Sequence, residues 1–144
     1  MDDEQLRNIY RLAKTIAVVG LSDNPDRPSY QVATYLKQHG YRIVPINPKY
    51  AVILGEPAYP DLVYGARAIS PTQIDIVDIF RKAEDVPPHV EEALVIHAPV
   101  VWMQEGIEHH DAAQKAKGSN VKVVMNRCLM KEHRRLFPAP NSNP

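Results

Sequence analysis

The residues best suited to chemistry in this chain form three short groups that combine small polar side chains with cations. They are Gly20, Leu21, Ser22, Asn24 and Arg27; Asn47, Pro48 and Lys49; and Phe80 with Arg81. The three cations suit phosphate oxygens, because charged donors form the stronger hydrogen bonds with anions. A glycine turn that leads into a helix adds backbone N–H donors and a partial positive charge. These residue types therefore predict a site for a phosphorylated small molecule.

Each group directly follows a predicted strand. Residues 15–19 are mainly apolar and run into Gly20, and Pro28 with Ser29 then opens a helix. Residues 41–46 and 74–80 are the strands that precede the second and third groups. In an open parallel sheet, ligands bind beyond the carboxyl ends of the strands, so Arg27, Lys49 and Arg81 are expected to converge there.

Helical and strand patterns alternate along the whole chain. The predicted helices cover residues 3–14, 29–39, 87–96, about 108–117 and 128–136, and the predicted strands cover residues 15–19, 41–46, 74–80, 100–103 and 121–125. Residues 47–67 are predicted to be a loop with a short edge strand near residues 53–55. This alternation predicts an α/β fold: a single-domain, doubly wound, mostly parallel sheet of the Rossmann type with helices on both faces. The domain is predicted to span residues 1–136, and the proline- and asparagine-rich residues 137–144 to be a disordered tail.

Composition limits the classes of partner. The 144 residues include 17 basic and 17 acidic side chains, so no overall field favours nucleic acid or an anionic membrane. No apolar run is long enough for a transmembrane helix, and the acidic start is unlike a signal peptide, which predicts a cytoplasmic protein. Cys128 is the only cysteine; it is predicted to be a buried apolar residue or, alternatively, a thiol able to exchange with a thiol ligand.

The predicted phosphate loop is not the usual dinucleotide fingerprint. The second and third glycines are absent after Gly20, and Lys49 lies close to the position where a site for NAD has a ribose-binding acid. A cation there favours a ribose that carries a phosphate, which leaves NADP and coenzyme A as candidates.

Catalytic and metal sites are not expected. Motifs of serine hydrolases, P-loop proteins and zinc proteases are absent, and the adjacent His109 and His110 cannot share one metal from a helix. Asp75 and Asp78 are predicted to accept backbone N–H bonds rather than to act in catalysis. Two functions therefore remain open, a module that binds coenzyme A or acyl-CoA and an NADP-dependent oxidoreductase. A homodimer that uses the face of residues 100–107 is compatible with the first.

Several segments together resemble one family. They are Gly20-Leu-Ser22, Asn24-Pro-Asp-Arg-Pro-Ser-Tyr30, Pro45-Ile-Asn-Pro48, Ile53-Leu-Gly-Glu56, Val77-Asp-Ile-Phe-Arg81, Val86-Pro-Pro88, Val101-Trp-Met-Gln-Glu-Gly-Ile107 and Met125-Asn-Arg-Cys128. In this order they resemble the small single-domain CoA-binding proteins, which are similar to the CoA-binding domain of the succinyl-CoA synthetase alpha subunit.

The resemblance implies a Rossmann-type domain that holds coenzyme A or an acyl derivative. It implies that Gly20 and Ser22 line a pyrophosphate loop, that Asn47, Pro48 and Lys49 meet the adenosine portion, and that Phe80 and Arg81 border the pantetheine entry. The chain departs from the expected Gly-Ala-Lys before the fourth strand, where it has His97-Ala98-Pro99.

Overall fold

The computed structural model describes residues 1–140. Its α-helices are α1 (Asp3–Leu12), α2 (Pro28–Gln38), α3 (Leu62–Ile69), α4 (Val86–Val95), α5 (His110–Gly118) and α6 (Leu129–Leu136). Its strands are β1 (Thr15–Val19), β2 (Arg42–Ile46), β3 (Val52–Ile53), β4 (Glu56–Pro57), β5 (Ile76–Ile79), β6 (Val100–Met103) and β7 (Lys122–Val124). The predicted helices and strands are present, and their ends differ from the prediction by no more than two residues.

Five parallel strands form the main sheet in the order β2-β1-β5-β6-β7. The chain therefore winds outward in one direction from β1 to β2, and in the other from β5 to β7. Val19 at the end of β1 pairs with Ile46 of β2 and with Ile79 of β5, so these three strands end at the same level. The reversal of winding between β1 and β5 opens a crevice at their carboxyl ends, where ligands bind in such sheets.

Helices cover both faces of the sheet, which confirms the predicted doubly wound α/β fold. Leu6 of α1, Val32 of α2 and Leu129 of α6 lie in one apolar layer. The other apolar layer contains residues of α3, α4 and α5, including Leu62 and Val90. Side chains of a strand alternate between the two layers; Ile76 and Trp102 face the first layer, while Val77 and Val101 face the second.

The prediction of a loop over residues 47–67 was wrong for residues 62–67, which form the start of α3. The Asp61 carboxylate caps this helix by accepting a 2.8 Å hydrogen bond from the Tyr64 N–H. Gly65 was a loop signal in the sequence, yet it lies inside the helix. A Cβ at Gly65 would come within 3.0 Å of Ile46 Cδ1, so the glycine allows α3 to pack closely against the end of β2.

The predicted edge strand is instead a small antiparallel hairpin of β3 and β4, which turns at Leu54 and Gly55. It is a separate two-stranded sheet that lies between β2 and α3 in the chain. Its contact with the main sheet is close, since Asn47 N–H donates to Tyr59 O and Tyr59 N–H donates to Pro45 O.

The predicted dimer face at residues 100–107 was wrong for its strand portion. β6 lies inside the sheet between β5 and β7, and Trp102 and Met103 are fully buried. Of the predicted tail, Phe137 packs edge-on against the Tyr10 ring, and residues 141–144 lie outside the described part of the chain. No helix within residues 1–140 is long and apolar enough to cross a membrane.

Candidate functional site

Gly20 lies where the carboxyl ends of β1, β2 and β5 meet. Its N–H donates to Ile46 O at 2.9 Å, and its φ of +83° lies in the left-handed region that glycine adopts without strain. A Cβ at this position would lie 2.3 Å from the carbonyl oxygen of Phe80. The close approach of the β1 and β5 ends therefore requires glycine here.

The loop after Gly20 is held by serine hydroxyls. Ser22 N–H donates to Ser29 Oγ at 3.0 Å, and Ser22 Oγ accepts a 3.0 Å bond from Asn24 N–H. No side chain caps the N-terminus of α2, and its first residue, Pro28, has no N–H. Within residues 1–140, Ser29 N–H also has no hydrogen-bond partner, so this helix end keeps a free donor for an anion.

Asn47 connects the loop after β2 with the loop after β1. Its Nδ2 donates to Leu21 O at 3.1 Å, and its Oδ1 accepts a 3.0 Å bond from Lys49 N–H. The amide therefore positions the backbone that carries Lys49 as well as the backbone beside Ser22.

A polar pocket of about 380 Å³ lies where these loops meet. Of the residues that the sequence predicted as a binding site, those that line it are Gly20, Ser22, Arg27, Asn47, Lys49, Phe80 and Arg81. The other three do not: Leu21 is buried in the core, Asn24 is exposed with its Oδ1 accepting a bond from Asp26 N–H, and Pro48 lies outside the lining.

The polar pocket has further lining residues that the prediction did not include: Pro28, Ser29 and Tyr50. The sequence predicted Pro28 and Ser29 only as the start of α2. Because a helix that starts after the first strand faces the crevice, both residues could have been included in the predicted site. Tyr50 directly follows Lys49, and an aromatic side chain beside a predicted phosphate-binding cation could have indicated that it also lines the site.

The charge of the polar pocket is positive. Among the residues that the structure describes, its lining contains Arg27, Lys49 and Arg81 but no acidic residue. Arg81 lies 3.5 Å from the Asp85 carboxylate, while Arg27 and Lys49 form no ion pair within residues 1–140. Just outside the lining, the Asp23 carboxylate raises the pKa of the Tyr50 hydroxyl. Arg27 and Lys49 are thus available to a phosphorylated ligand, and Arg81 adds a cation that a phosphate would share with Asp85.

An apolar cavity of about 420 Å³ adjoins the polar pocket and shares Pro28 and Phe80 with it. It lies between the N-terminal ends of α2 and α6. Its other lining residues are Gln31, Val32, Gln104, Glu105, Ile107, Cys128, Met130 and Lys131. Cys128 is buried in the structure, at 6 % exposure. The two spaces together form a cleft with one charged and one apolar end.

The two predicted structural aspartates behave differently. Asp75 Oδ2 accepts bonds from Lys14 N–H at 2.8 Å and from Thr15 N–H at 2.9 Å, which confirms its prediction. Asp78 is fully buried on the central strand, and neither carboxyl oxygen has a hydrogen-bond partner within residues 1–140, so the prediction was wrong for it. Burial raises the pKa of Asp78 well above its usual value, which favours the neutral acid. Asp78 lies two residues before Phe80, and nothing in this stretch of sequence indicated that its carboxyl group would be buried without a hydrogen-bond partner.

Residues 14–134 of the chain match the family described as CoA binding domain. The chain is 39 % identical over 134 residues to the uncharacterized protein YneT of Bacillus subtilis, covering 90 % of this chain and 92 % of that protein. It is 30 % identical over 128 residues to acetate–CoA ligase [ADP-forming] I of Archaeoglobus fulgidus, covering 81 % of this chain but 18 % of that enzyme.

A solved structure from Thermus thermophilus superposes with a TM-score of 0.87 at 38 % identity, covering 95 % of this chain and all (100 %) of that one. Fold and sequence thus agree over almost the whole of the described domain. With the crevice and its cations at the carboxyl ends of the strands, the chain belongs to the CoA binding domain family.

Proposed function

We propose that this protein binds coenzyme A or an acyl-CoA in the polar pocket and acts as a non-catalytic binding, sensing or carrier protein. The observation that carries the proposal is that Arg27, Lys49 and Arg81 line one pocket without an acidic residue. Coenzyme A has a pyrophosphate and a ribose phosphate, so its nucleotide end needs several cations. Membership in the CoA binding domain family supports the same ligand.

The pocket suggests a direction for the bound ligand. The pyrophosphate would lie at the loop of Gly20 and Ser22, where the free Ser29 N–H and the N-terminus of α2 add donors. The ribose phosphate would lie near Lys49, because the end of the second strand is where such sheets bind the ribose. The pantetheine arm would then leave past Phe80 and Arg81, toward the apolar cavity.

The side chains of the cleft support a binding role more than a catalytic one. General acid–base catalysis needs a group that exchanges protons near neutral pH. Within residues 1–140, no histidine, cysteine or carboxylate side chain lines the polar pocket. In the adjoining apolar cavity, Glu105 pairs with Lys131 and Cys128 is buried.

Calorimetric titration of the purified protein tests the ligand. We expect coenzyme A to bind, and Lys49→Ala to weaken it by about 5- to 150-fold, as loss of a charge-assisted phosphate contact of about 1–3 kcal/mol implies. Dephospho-CoA should bind wild type and Lys49→Ala equally, since it has no ribose phosphate for Lys49 to contact. Arg81→Ala should weaken both ligands.

Lys117→Ala is the matched control, because Lys117 is an exposed lysine on α5 and lies outside both spaces. Equal affinity of all variants would place coenzyme A elsewhere. Titration with NADPH tests the oxidoreductase alternative, which the comparisons do not support; tighter binding of NADPH than of coenzyme A would reverse the assignment. Chromatography of acetyl-CoA after incubation with the protein tests the non-catalytic role, which predicts an intact thioester.

A further inference from the structure

The apolar cavity differs from the polar pocket in both lining and charge. Val32, Ile107, Cys128 and Met130 contribute apolar wall, and Phe80 separates this wall from the cations of the polar pocket. Its volume of about 420 Å³ falls within the range of small-molecule sites. The cavity adjoins the polar pocket, since Pro28 and Phe80 line both spaces, which puts both within reach of one elongated ligand.

The two charged residues that line the apolar cavity, Lys131 and Glu105, pair with each other at its rim, where their side chains are 60 % and 58 % exposed. Lys131 Nζ contacts both carboxylate oxygens of Glu105, at 2.9 and 3.2 Å. In the described part of the chain, no other cation lines this cavity. A carboxylate entering it would therefore lose water without gaining a free cation, which is unfavourable.

One polar group of the cavity is suited to a carbonyl oxygen. Gln104 Oε1 accepts a 3.0 Å bond from Leu129 N–H at the start of α6, which holds the amide in place. Gln104 Nε2 has no hydrogen-bond partner within residues 1–140, although the residue is only 4 % exposed. An N–H donor at the wall of a mainly apolar space can satisfy the carbonyl of a thioester or amide.

We propose that the apolar cavity binds the acyl chain of an uncharged acyl-CoA, so that the protein prefers such a thioester to free coenzyme A and to carboxyacyl-CoA. This inference rests on the proposed function, since the nucleotide end must occupy the polar pocket. The methylene groups of the bound acyl chain pack against Val32, Ile107 and Met130 and are thereby removed from water. The paired Lys131 and Glu105 disfavour a terminal carboxylate.

The test is a calorimetric series with coenzyme A, acetyl-, butyryl-, hexanoyl- and succinyl-CoA. Affinity should rise about fourfold for each added methylene until the cavity is full, which corresponds to about 0.8 kcal/mol per buried group. Succinyl-CoA should bind more weakly than butyryl-CoA, whose acyl chain has the same number of carbons. The heat capacity of binding should become more negative along the apolar series.

Met130→Trp should fill the cavity and remove the dependence of affinity on the length of the acyl chain. Ile107→Phe is the second variant if the first does not fold. The control is Val95→Trp, which adds the same side chain at a 63 % exposed position on α4 and should behave as wild type.

The outcomes separate the two proposals. If coenzyme A itself does not bind, the proposed function fails. If coenzyme A binds but affinity is independent of the acyl chain or falls with its length, only the acyl site is overturned. Preference for succinyl-CoA over butyryl-CoA, or chain-length dependence that persists in Met130→Trp, also overturns it.

Discussion

Replacing Gly20 by alanine should destabilise the fold and weaken ligand binding together. Gly20 has a φ of +83°, and a Cβ there would lie 2.3 Å from Phe80 O and 3.1 Å from Arg81 Cδ. The first neighbour is backbone and cannot rotate away, so the end of β5 must shift. That shift displaces Phe80 and Arg81, which line the polar pocket.

Gly40→Ala separates the steric contact from the backbone conformation. Gly40 has a φ of +92°, but no atom lies within 4 Å of the position that a Cβ would occupy, so alanine there meets only the cost of the left-handed conformation. We expect Gly40→Ala to lower the free energy of unfolding by about 1 kcal/mol, the usual cost of this conformation. Gly20→Ala should lower it by a further 1–3 kcal/mol or so, as forced overpacking does.

Urea unfolding followed by circular dichroism, with coenzyme A titration of each folded variant, provides the measurement. Gly20→Ala should unfold at the lower urea concentration and bind coenzyme A more weakly, while Gly40→Ala should bind as wild type. Equal unfolding midpoints for the two variants would refute the argument from the Phe80 carbonyl. Normal affinity in Gly20→Ala would show that this turn does not shape the ligand site.

Three further perturbations follow from buried or capping groups. Burial raises the pKa of Asp78 above 3.8, so ionisation of this carboxyl group opposes folding as the pH rises. In urea unfolding, Asp78→Asn should therefore gain stability relative to wild type from pH 4 to pH 8. A stability difference that stays constant over this range would contradict the argument. Burial, and then His39, lowers the pKa of His133 below 6.5, so the stability it contributes is present above pH 6.5 and lost as the pH falls through the lowered value. His133→Gln should reduce the loss of stability between pH 7 and pH 5, and an unchanged pH profile would exclude this histidine as its source. Asp61→Ala should lower the free energy of unfolding by about 0.5–2 kcal/mol because the α3 cap is lost, whereas Asp61→Asn should keep most of the stability that the cap provides. Equal thermal unfolding of Asp61→Ala and wild type would contradict the capping role.

Local sequence patterns determined most of the fold. The apolar run of β1 that ends at Gly20, the helix start at Pro28 and the apolar β5 before Phe80 predicted a parallel α/β sheet. They also placed Arg27, Lys49 and Arg81 after strand ends, because strand and helix periodicity are local properties of the chain. The family was recognisable from motifs in these turns together with later segments such as Met125-Asn-Arg-Cys128.

Tertiary structure decided what those patterns left open. Glycine has a low helix propensity, so Gly65 predicts a loop, but it lies inside α3, where its lack of a side chain permits close packing against Ile46. Leu21 belongs to the loop that the sequence predicted to bind the ligand, yet its side chain is buried in the core. Pro28 and Tyr50, which were not predicted, line the polar pocket. The isolation of Asp78 and the adjacency of the polar pocket and the apolar cavity depend on contacts between residues far apart in the chain. Such contacts follow from how helices pack across a sheet, which no single stretch of sequence encodes.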